Sequence, residues 1–210
     1  MKILLLTSRN SWLSKNTQLL KKFSNFKISK IIHQPSKINK KYDICLILSY
    51  YKKIKSIYLN RCNHNLVVHE SDLPKGKGFS PLYWQILNNK TNITFTLFEC
   101  SDKIDTGNYY IKKKFKFSPH LLYEQIKKQQ LICALNLVSS FISLKKKGKL
   151  KLYYQRGKES FYRKFKELDN QININKSIKS QIGKLRTRDN ELFPAYFIYK
   201  NKKFKLKIFN

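Results

Sequence analysis

One histidine and one aspartate stand where a folded chain could use them for proton transfer. His69 ends an apolar run, NLVVH, and precedes the Pro/Gly-rich stretch SDLPKGKG, while Asp105 follows a second apolar run, ITFTLFE, and precedes Gly107. A carboxylate beside an imidazole orients the ring, and the pair can act as a general acid and base. If His69 is considered without Asp105, the alternative to a catalytic role is an ordinary surface histidine beside a capping loop. The two residues together predict an acid–base site, if the fold brings them into contact.

The elements that must position this pair alternate between strands and helices. Apolar runs predict buried strands at residues 3–7, 27–32, 42–49, 65–69 and 93–99. Helices are predicted at residues 11–23, at 80–87 with Pro81 in the first turn, and at 118–147 with Ser118 and Pro119 at its start. This alternation predicts an α/β fold, a Rossmann-like, mostly parallel sheet with helices on both faces. Because parallel strands end at one edge of a sheet, the strand ends near His69 and Asp105 are expected to meet there.

The character of the sequence changes after residue 149. Residues 150–192 are polar and charged, and they predict irregular structure with one helix near residues 174–185. The stretches FPAYFIY, NKK and FKLKIF then predict a β-hairpin over residues 193–209. We therefore divide the chain into a domain, residues 1–149, and a short C-terminal extension, residues 150–210, that ends in the hairpin.

The charge of the chain is strongly positive. Its 210 residues include 44 basic and 12 acidic side chains, a formal net charge of +32. Such a field attracts nucleotides, phosphates and polycarboxylates. Lys, Ile, Asn, Phe and Tyr share A/T-rich codons, so genome composition and a selected basic surface both explain the lysine content. The lysine runs at 112–114 and 145–147 are typical of solvated ends of secondary-structure elements.

The cysteines and the apolar runs indicate the cellular compartment. The spacing of Cys45, Cys62, Cys100 and Cys133 matches neither a zinc site nor a CxxC pair, and no metal site is predicted. The opening apolar run is too short for a signal peptide, and no later run could span a membrane. Reduced thiols without these signals predict a cytoplasmic protein with no membrane partner.

The order of these motifs resembles the signature of the folate-dependent formyltransferases. HESDLP, then KGKG, and DTG one strand later match the family's Asn-x-His-x-Ser-x-Leu-Pro, basic-Gly loop and Asp-x-Gly, over roughly residues 1–145. The family includes methionyl-tRNA formyltransferase, glycinamide ribonucleotide transformylase and sugar N-formyltransferases. One position departs from the pattern, because Val67 stands where the family has its catalytic Asn. Asn65 would lie about 13 Å from His69 along a strand, too far to replace that amide.

The resemblance implies direct transfer of a formyl group from N10-formyltetrahydrofolate to an amine, without a metal. His69 would be the general acid and base, and Asp105 would orient it or a relay water. The folate would lie against the loop that contains Lys53 and Ile54 and against the loop that contains Asp102 and Ile104.

The C-terminal sequence LRTRDNELFPAYF resembles the ends of sugar N-formyltransferases, in particular a compact subgroup linked to pseudaminic-type nonulosonic acid pathways. This resemblance implies an amino sugar carried on a nucleotide, such as a UDP-linked 4-amino sugar, as the acceptor. The side chains expected to contact the acceptor are Ser71, Lys77, Tyr83, Trp84 and Arg186. Tyr83 and Trp84 could instead be packing aromatics, and Arg186 could instead be a surface basic residue.

Several alternatives remain open at the level of sequence. The acceptor could instead be glycinamide ribonucleotide or methionyl-tRNA. The chain could also bind folate or sugar without turnover, or be a non-catalytic basic nucleic-acid-binding protein, although aromatics interleaved with basic residues are not evident. Phe197 and Ile198 of the hairpin could form a homodimer contact or pack on the sheet.

Overall fold

The structure, a computed structural model that describes residues 1–210, contains a six-stranded sheet with helices on both faces. The ten strands are β1 (Ile3–Leu6), β2 (Ile28–Ile32), β3 (Ile44–Ile47), β4 (His64–His69), β5 (Lys77–Gly78), β6 (Asn92–Glu99), β7 (Tyr109–Lys116), β8 (Phe161–Tyr162), β9 (Ala195–Tyr199) and β10 (Lys202–Leu206). The six helices are α1 (Trp12–Lys15), α2 (Gln18–Phe23), α3 (Ser56–Leu59), α4 (Pro81–Leu87), α5 (Tyr123–Lys146) and α6 (Ile178–Arg186).

The main sheet has the strand order β2-β1-β3-β4-β6-β7. Strands β2, β1, β3 and β4 are parallel, whereas β6 is antiparallel to β4 and β7 is antiparallel to β6. A separate antiparallel hairpin is formed by β9 and β10. The predicted fold class, a mostly parallel α/β sheet with a C-terminal hairpin, is confirmed.

Strands β1 and β3 are apolar throughout because both faces of the sheet are covered. Ile3 and Leu5 of β1 face a core of 24 buried residues that includes much of α5. Leu4 and Leu6 face the opposite side, where a core of 8 buried residues includes Ile54. One face of the sheet is therefore covered by α5 and the other by the segment that contains Ile54.

Three elements differ from the sequence-based predictions. The helix expected at residues 11–23 is split into α1 and α2, where the Asn16 side chain donates a hydrogen bond to the Trp12 carbonyl at 2.8 Å and competes with the helical backbone. The helix α5 begins at Tyr123, so Ser118 and Pro119 precede it in a turn. The lysine run 112–114 lies inside β7 rather than at the end of an element.

The extension folds back on the domain before it forms the hairpin. Strand β8 pairs in parallel with β5, and α6 follows as the predicted helix, slightly displaced. The hairpin turn contains Lys200 and Asn201, both with positive φ, the geometry whose twist matches that of the flanking strands. None of the helices combines the length and the apolar character needed to span a bilayer.

Candidate active site

The main cavity opens at the C-terminal end of β4 and has a volume of about 360 Å³. His69, the last residue of β4, and Asp105 both line it. The His69 Nε2 atom lies 3.6 Å from the Asp105 Oδ2 atom, and both side chains are largely buried. The structure thus brings together the two residues that the sequence analysis selected for acid–base chemistry.

The route by which Asp105 reaches His69 differs from the prediction. Because β6 is antiparallel to β4, with His69 opposite Thr96 and Leu66 opposite Glu99, β6 ends beside the start of β4. The expectation that two parallel strand ends meet was therefore wrong. Asp105 instead lies in the loop after β6, at a positive φ of 53°, and accepts a hydrogen bond from the Gly78 amide at 2.8 Å.

The tautomer of His69 follows from its hydrogen bond. Its Nε2 atom lies 2.8 Å from the carbonyl oxygen of Gly76, which can only accept a hydrogen bond. In the neutral ring Nε2 therefore carries the proton, and Nδ1 keeps the lone pair that can accept another. Asp105 stands on the Nε2 side of the ring, and Nδ1 has no hydrogen-bond partner in the protein.

Residues 153–162 of the extension, which we term the strap, fasten both loops that carry this geometry. The Gln155 Nε2 atom donates hydrogen bonds to the carbonyls of Asp105, at 2.9 Å, and Gly107, at 2.7 Å. The Gly78 backbone has φ +95°, and a Cβ at this position would lie 2.5 Å from the Tyr162 carbonyl oxygen. The strap therefore approaches the loop so closely that only glycine fits at position 78.

The loop after β4 is held by further contacts with the strap. The Gly76 amide donates to Ser160 Oγ at 2.9 Å, and the Lys77 amide donates to the Ser160 carbonyl at 2.9 Å. The Lys77 ammonium is 1% exposed and forms an ion pair with Glu159. Lys77, which was expected to contact the acceptor, thus lies outside the cavity lining and joins the loop to the strap.

The four residues expected to hold the folate all line the main cavity: Lys53, Ile54, Asp102 and Ile104. Ile54 is buried in the smaller core, whereas Ile104 is exposed. Beneath them, Ile47, Val67 and Phe98 lie side by side on neighbouring strands and also line the cavity. This apolar floor, with backbone of residues 101–105 at its edge, suits a flat heterocycle that presents hydrogen-bonding edges.

Of the residues expected to contact the acceptor, only Tyr83 lines the cavity. Ser71 is buried beneath the loop, and its hydroxyl has no hydrogen-bond partner. Trp84 stacks on Phe165 at 4.2 Å, and its indole N–H donates to the Arg163 carbonyl. Trp84 therefore packs between the domain and the extension, and Ser71 is buried within the domain.

Arg186 lies at the end of α6, and its guanidinium donates to the carbonyls of Ser118 and Leu121, both at 3.2 Å. These contacts tie the extension to the turn that precedes α5. The side chain is buried and lies outside the main cavity, like Lys77 and Trp84.

Three polar side chains that the sequence analysis missed, Glu70, Lys127 and Gln130, also line the main cavity. The Lys127 ammonium donates to Gln130 Oε1 at 3.1 Å, and the Gln130 amide donates to Glu70. Burial lowers the pKa of Lys127, while Glu70 opposes that shift. Lys127 and Gln130 belong to α5, whose sequence is that of an ordinary amphipathic helix. Only Glu70, the neighbour of His69 in sequence, could have indicated this part of the site.

Asn65 is remote from this chemistry. Its amide donates to the Leu59 carbonyl at 2.8 Å, and it does not line the cavity. Val67 supplies no polar atom in the place of the missing amide. No group of three or more His, Cys, Asp or Glu side chains is arranged to hold a metal ion.

Known proteins resemble this chain in sequence and in fold. No family model matches the chain. Methionyl-tRNA formyltransferase of Thermotoga maritima is 25% identical over 171 residues, covering 74% of this chain and 54% of that protein. The same enzyme of Pelagibacter ubique is 27% identical over 172 residues, covering 78% and 53%. The chain thus spans about half the length of the curated relatives it matches.

Solved structures match nearly the whole chain. Methionyl-tRNA formyltransferase from Clostridium thermocellum has a TM-score of 0.75 at 18% identity and covers 99% of this chain and 92% of that one. HypX from Aquifex aeolicus in complex with tetrahydrofolic acid gives 0.77 at 17%, covering 99% and 37%. A 4-N formyltransferase from Francisella tularensis gives 0.70 at 15%, covering 99% and 96%. The chain therefore has the same fold as these formyltransferases and HypX.

Proposed function

We propose that this protein transfers a formyl group from N10-formyltetrahydrofolate to an amine. The observation that carries the proposal is the His69–Asp105 pair, 3.6 Å apart inside a cavity of about 360 Å³. The same cavity is lined by both loops that the sequence resemblance assigned to the folate. HypX, a structural neighbour, binds tetrahydrofolic acid.

The chemistry of this chain's own residues is proton transfer and orientation. The bound donor supplies an electrophilic formyl carbon. His69, whose Nδ1 holds a lone pair, takes a proton from the attacking amine and returns one to the departing nitrogen. The Gly76 carbonyl orients the ring, Asp105 lies 3.6 Å from Nε2 and stabilises the charged form, and the Gly78 amide holds Asp105.

The donor would be held by the two loops on the face of the smaller core. Lys53 and Ile54 come from the loop after β3, and Asp102 and Ile104 from the loop after β6. The apolar floor beneath them would pack against the pterin ring. Burial of a flat ring here also excludes water from the reacting atoms.

For the acceptor we propose a nucleotide-linked amino sugar, such as a UDP-4-amino sugar. The C-terminal sequence resembles sugar N-formyltransferases, and the structural neighbours include a 4-N formyltransferase. Methionyl-tRNA is the second candidate, because the curated relatives carry that name and the net charge of +32 suits an RNA. Glycinamide ribonucleotide is the third.

The test is a transfer assay with purified protein, N10-formyltetrahydrofolate and a panel of amines. The panel contains UDP- and TDP-linked 3- and 4-amino sugars, glycinamide ribonucleotide and methionyl-tRNA, and the product is detected by the mass of an added formyl group. Product from one sugar alone supports the proposal. Product from methionyl-tRNA alone moves the assignment to the second candidate. Folate binding without any product indicates a non-catalytic binder.

Val67→Asn is expected to raise the rate of formyl transfer by about tenfold or more, because a side-chain amide would add a donor for developing negative charge. The measurement is kcat with wild-type protein in parallel. Val67→Thr, which changes the shape of the apolar floor less, is the control. A fall in rate together with weaker folate binding would show instead that the floor must stay apolar.

Gln155→Leu is expected to lower kcat by about 10- to 100-fold, because the Asp105 turn loses both side-chain hydrogen bonds and small misplacements are costly in catalysis. The KM of the acceptor should change little. Gln129→Leu, which removes one bond to the Lys116 carbonyl, is the matched control. Unchanged kcat in Gln155→Leu would mean that the strap does not position Asp105.

A further inference from the structure

Two opposite charges in the main cavity are linked through an amide and form no direct ion pair. The Lys127 ammonium donates to Gln130 Oε1 at 3.1 Å, and the Gln130 amide donates to one carboxylate oxygen of Glu70. All three side chains, which we term the polar row, are partly buried and line the cavity. A ligand in the cavity can therefore reach them, and the proton transfer proposed for His69 uses none of them.

The polar row keeps hydrogen-bonding capacity at both of its charged ends. An ammonium group has three N–H donors, and Lys127 uses one of them on Gln130. The Glu70 carboxylate accepts from Gln130 through Oε1, and its Oε2 atom accepts no hydrogen bond from the protein. The row therefore offers free donors at one end and a free acceptor at the other.

The positions of these groups are set by the elements that carry them. Glu70 directly follows β4, and its backbone carbonyl accepts a hydrogen bond from the Gln85 side chain at 2.6 Å. Lys127 and Gln130 are three residues apart in α5, so their side chains lie on the same face of that helix. The polar row is thus in place before a ligand binds.

The charges of the polar row determine the kind of group that fits it. A phosphate is attracted by Lys127 but repelled by Glu70, and an ammonium group is attracted by Glu70 but repelled by Lys127. A hydroxyl group is neutral, and it can accept from the ammonium or donate to the carboxylate. Glu124 and Asp189, the other carboxylates that act on Lys127, do not line this cavity. The polar row therefore favours hydroxyl groups.

Two aromatic rings adjoin the polar row. The Lys127 ammonium lies 6.0 Å from the centre of the Trp12 ring and 5.8 Å from the centre of the Tyr83 ring. Both residues also line the cavity. Aromatic surface with a few fixed polar groups is typical of a small-molecule site. This combination suits a sugar ring, which has apolar C–H faces and hydroxyl groups at its rim.

We propose that Glu70, Gln130 and Lys127 bind neighbouring hydroxyl groups on the sugar ring of the acceptor. The inference rests on the proposed function, because it takes the acceptor to be an amino sugar whose amine lies at His69. The polar row belongs to the side of the sheet that carries α4 and α5, whereas Ile54 of the folate loop belongs to the smaller core. The donor and the acceptor thus approach His69 from different sides.

The experiment measures binding of a UDP-linked 4-amino sugar, and of UDP alone, to the full chain without folate. Glu70→Gln and Lys127→Met are both expected to weaken binding of the sugar nucleotide by about tenfold or more, because each removes a charged hydrogen-bond partner of a hydroxyl group. Binding of UDP alone should not change. Lys128→Met, which removes an exposed charge from the next position of α5, is the matched control and should bind both compounds like the wild type.

The signs of the two effects separate a hydroxyl group from a charged one. Tighter binding in Glu70→Gln with weaker binding in Lys127→Met would place a phosphate at Lys127, and the reverse pattern would place the amine at Glu70. Either result overturns the proposal, as does wild-type affinity in both variants or a wild type that binds the sugar nucleotide no better than UDP. If Glu70→Gln does not fold, Gln130→Leu takes its place. Weaker sugar binding is expected there, because the two charges can then pair with each other.

Failure of this inference can be distinguished from failure of the proposed function, because the binding measurements require no turnover. Sugar binding that depends on the polar row, without any formyl product, would contradict the proposed function and leave the sugar site standing. Formyl transfer to an amino sugar with an unchanged acceptor KM in both variants would contradict this inference alone.

Discussion

His69→Ala is expected to lower formyl transfer by about 10²- to 10⁴-fold while leaving folate binding nearly intact. The imidazole is the group placed to move protons, because its Nδ1 is unprotonated in the neutral ring and its Nε2 donates to the Gly76 carbonyl, 3.6 Å from Asp105. The residues expected to hold the folate, Lys53, Ile54, Asp102 and Ile104, make no hydrogen bond to this ring. The expected result is therefore a loss in kcat with little change in donor affinity.

His120→Ala is the matched control for this prediction. His120 is an exposed histidine in the turn before α5, and its imidazole has no hydrogen bond. Asp105→Asn is expected to lower the rate less than His69→Ala does. The amide keeps the shape of the carboxylate but loses the negative charge beside the imidazole. Equal rates in His69→Ala and wild type would remove His69 from the mechanism and with it the basis of the proposed function.

The sequence predicted that His69 and Asp105 meet in the site, but it did not predict how the fold brings them together. An apolar strand that ends in His69 and a turn that contains Asp105 and Gly107 are local patterns, readable from residue order. The direction of β6 is not local, because a buried strand has the same apolar run whether it is parallel or antiparallel to β4. The contact was thus predicted on a topological argument that the structure contradicts.

The elements that escaped prediction are stabilised by distant partners. Strand β7 carries three consecutive lysines, which a strand tolerates here because β7 lies at the edge of the sheet. The strap has no periodic pattern, and its bonds go to one loop more than 80 residues earlier and to another about 50 residues earlier. Its role in holding Gly76 and Asp105 could be seen only once the chain was folded.

Gly107→Ala is expected to destabilise the protein by roughly 3 kcal/mol or more and to abolish most activity. A Cβ at this position would lie 1.6 Å from the Glu99 carbonyl oxygen, so the backbone itself must move. Gly107 also accepts the second hydrogen bond from Gln155, two residues after Asp105. Displacing the turn therefore disturbs the carboxylate of Asp105 as well as the end of β6.

Gly183→Ala is the matched control, because it adds the same methyl group where space exists. The nearest atom to its Cβ would be 3.6 Å away, and Gly183 lies inside α6. Alanine in a helix should stabilise the protein by about 0.5–1 kcal/mol. Denaturant unfolding and the transfer assay on both variants separate the two effects. If Gly107→Ala unfolds and reacts like the wild type, the close approach of this turn to β6 does not set the position of Asp105.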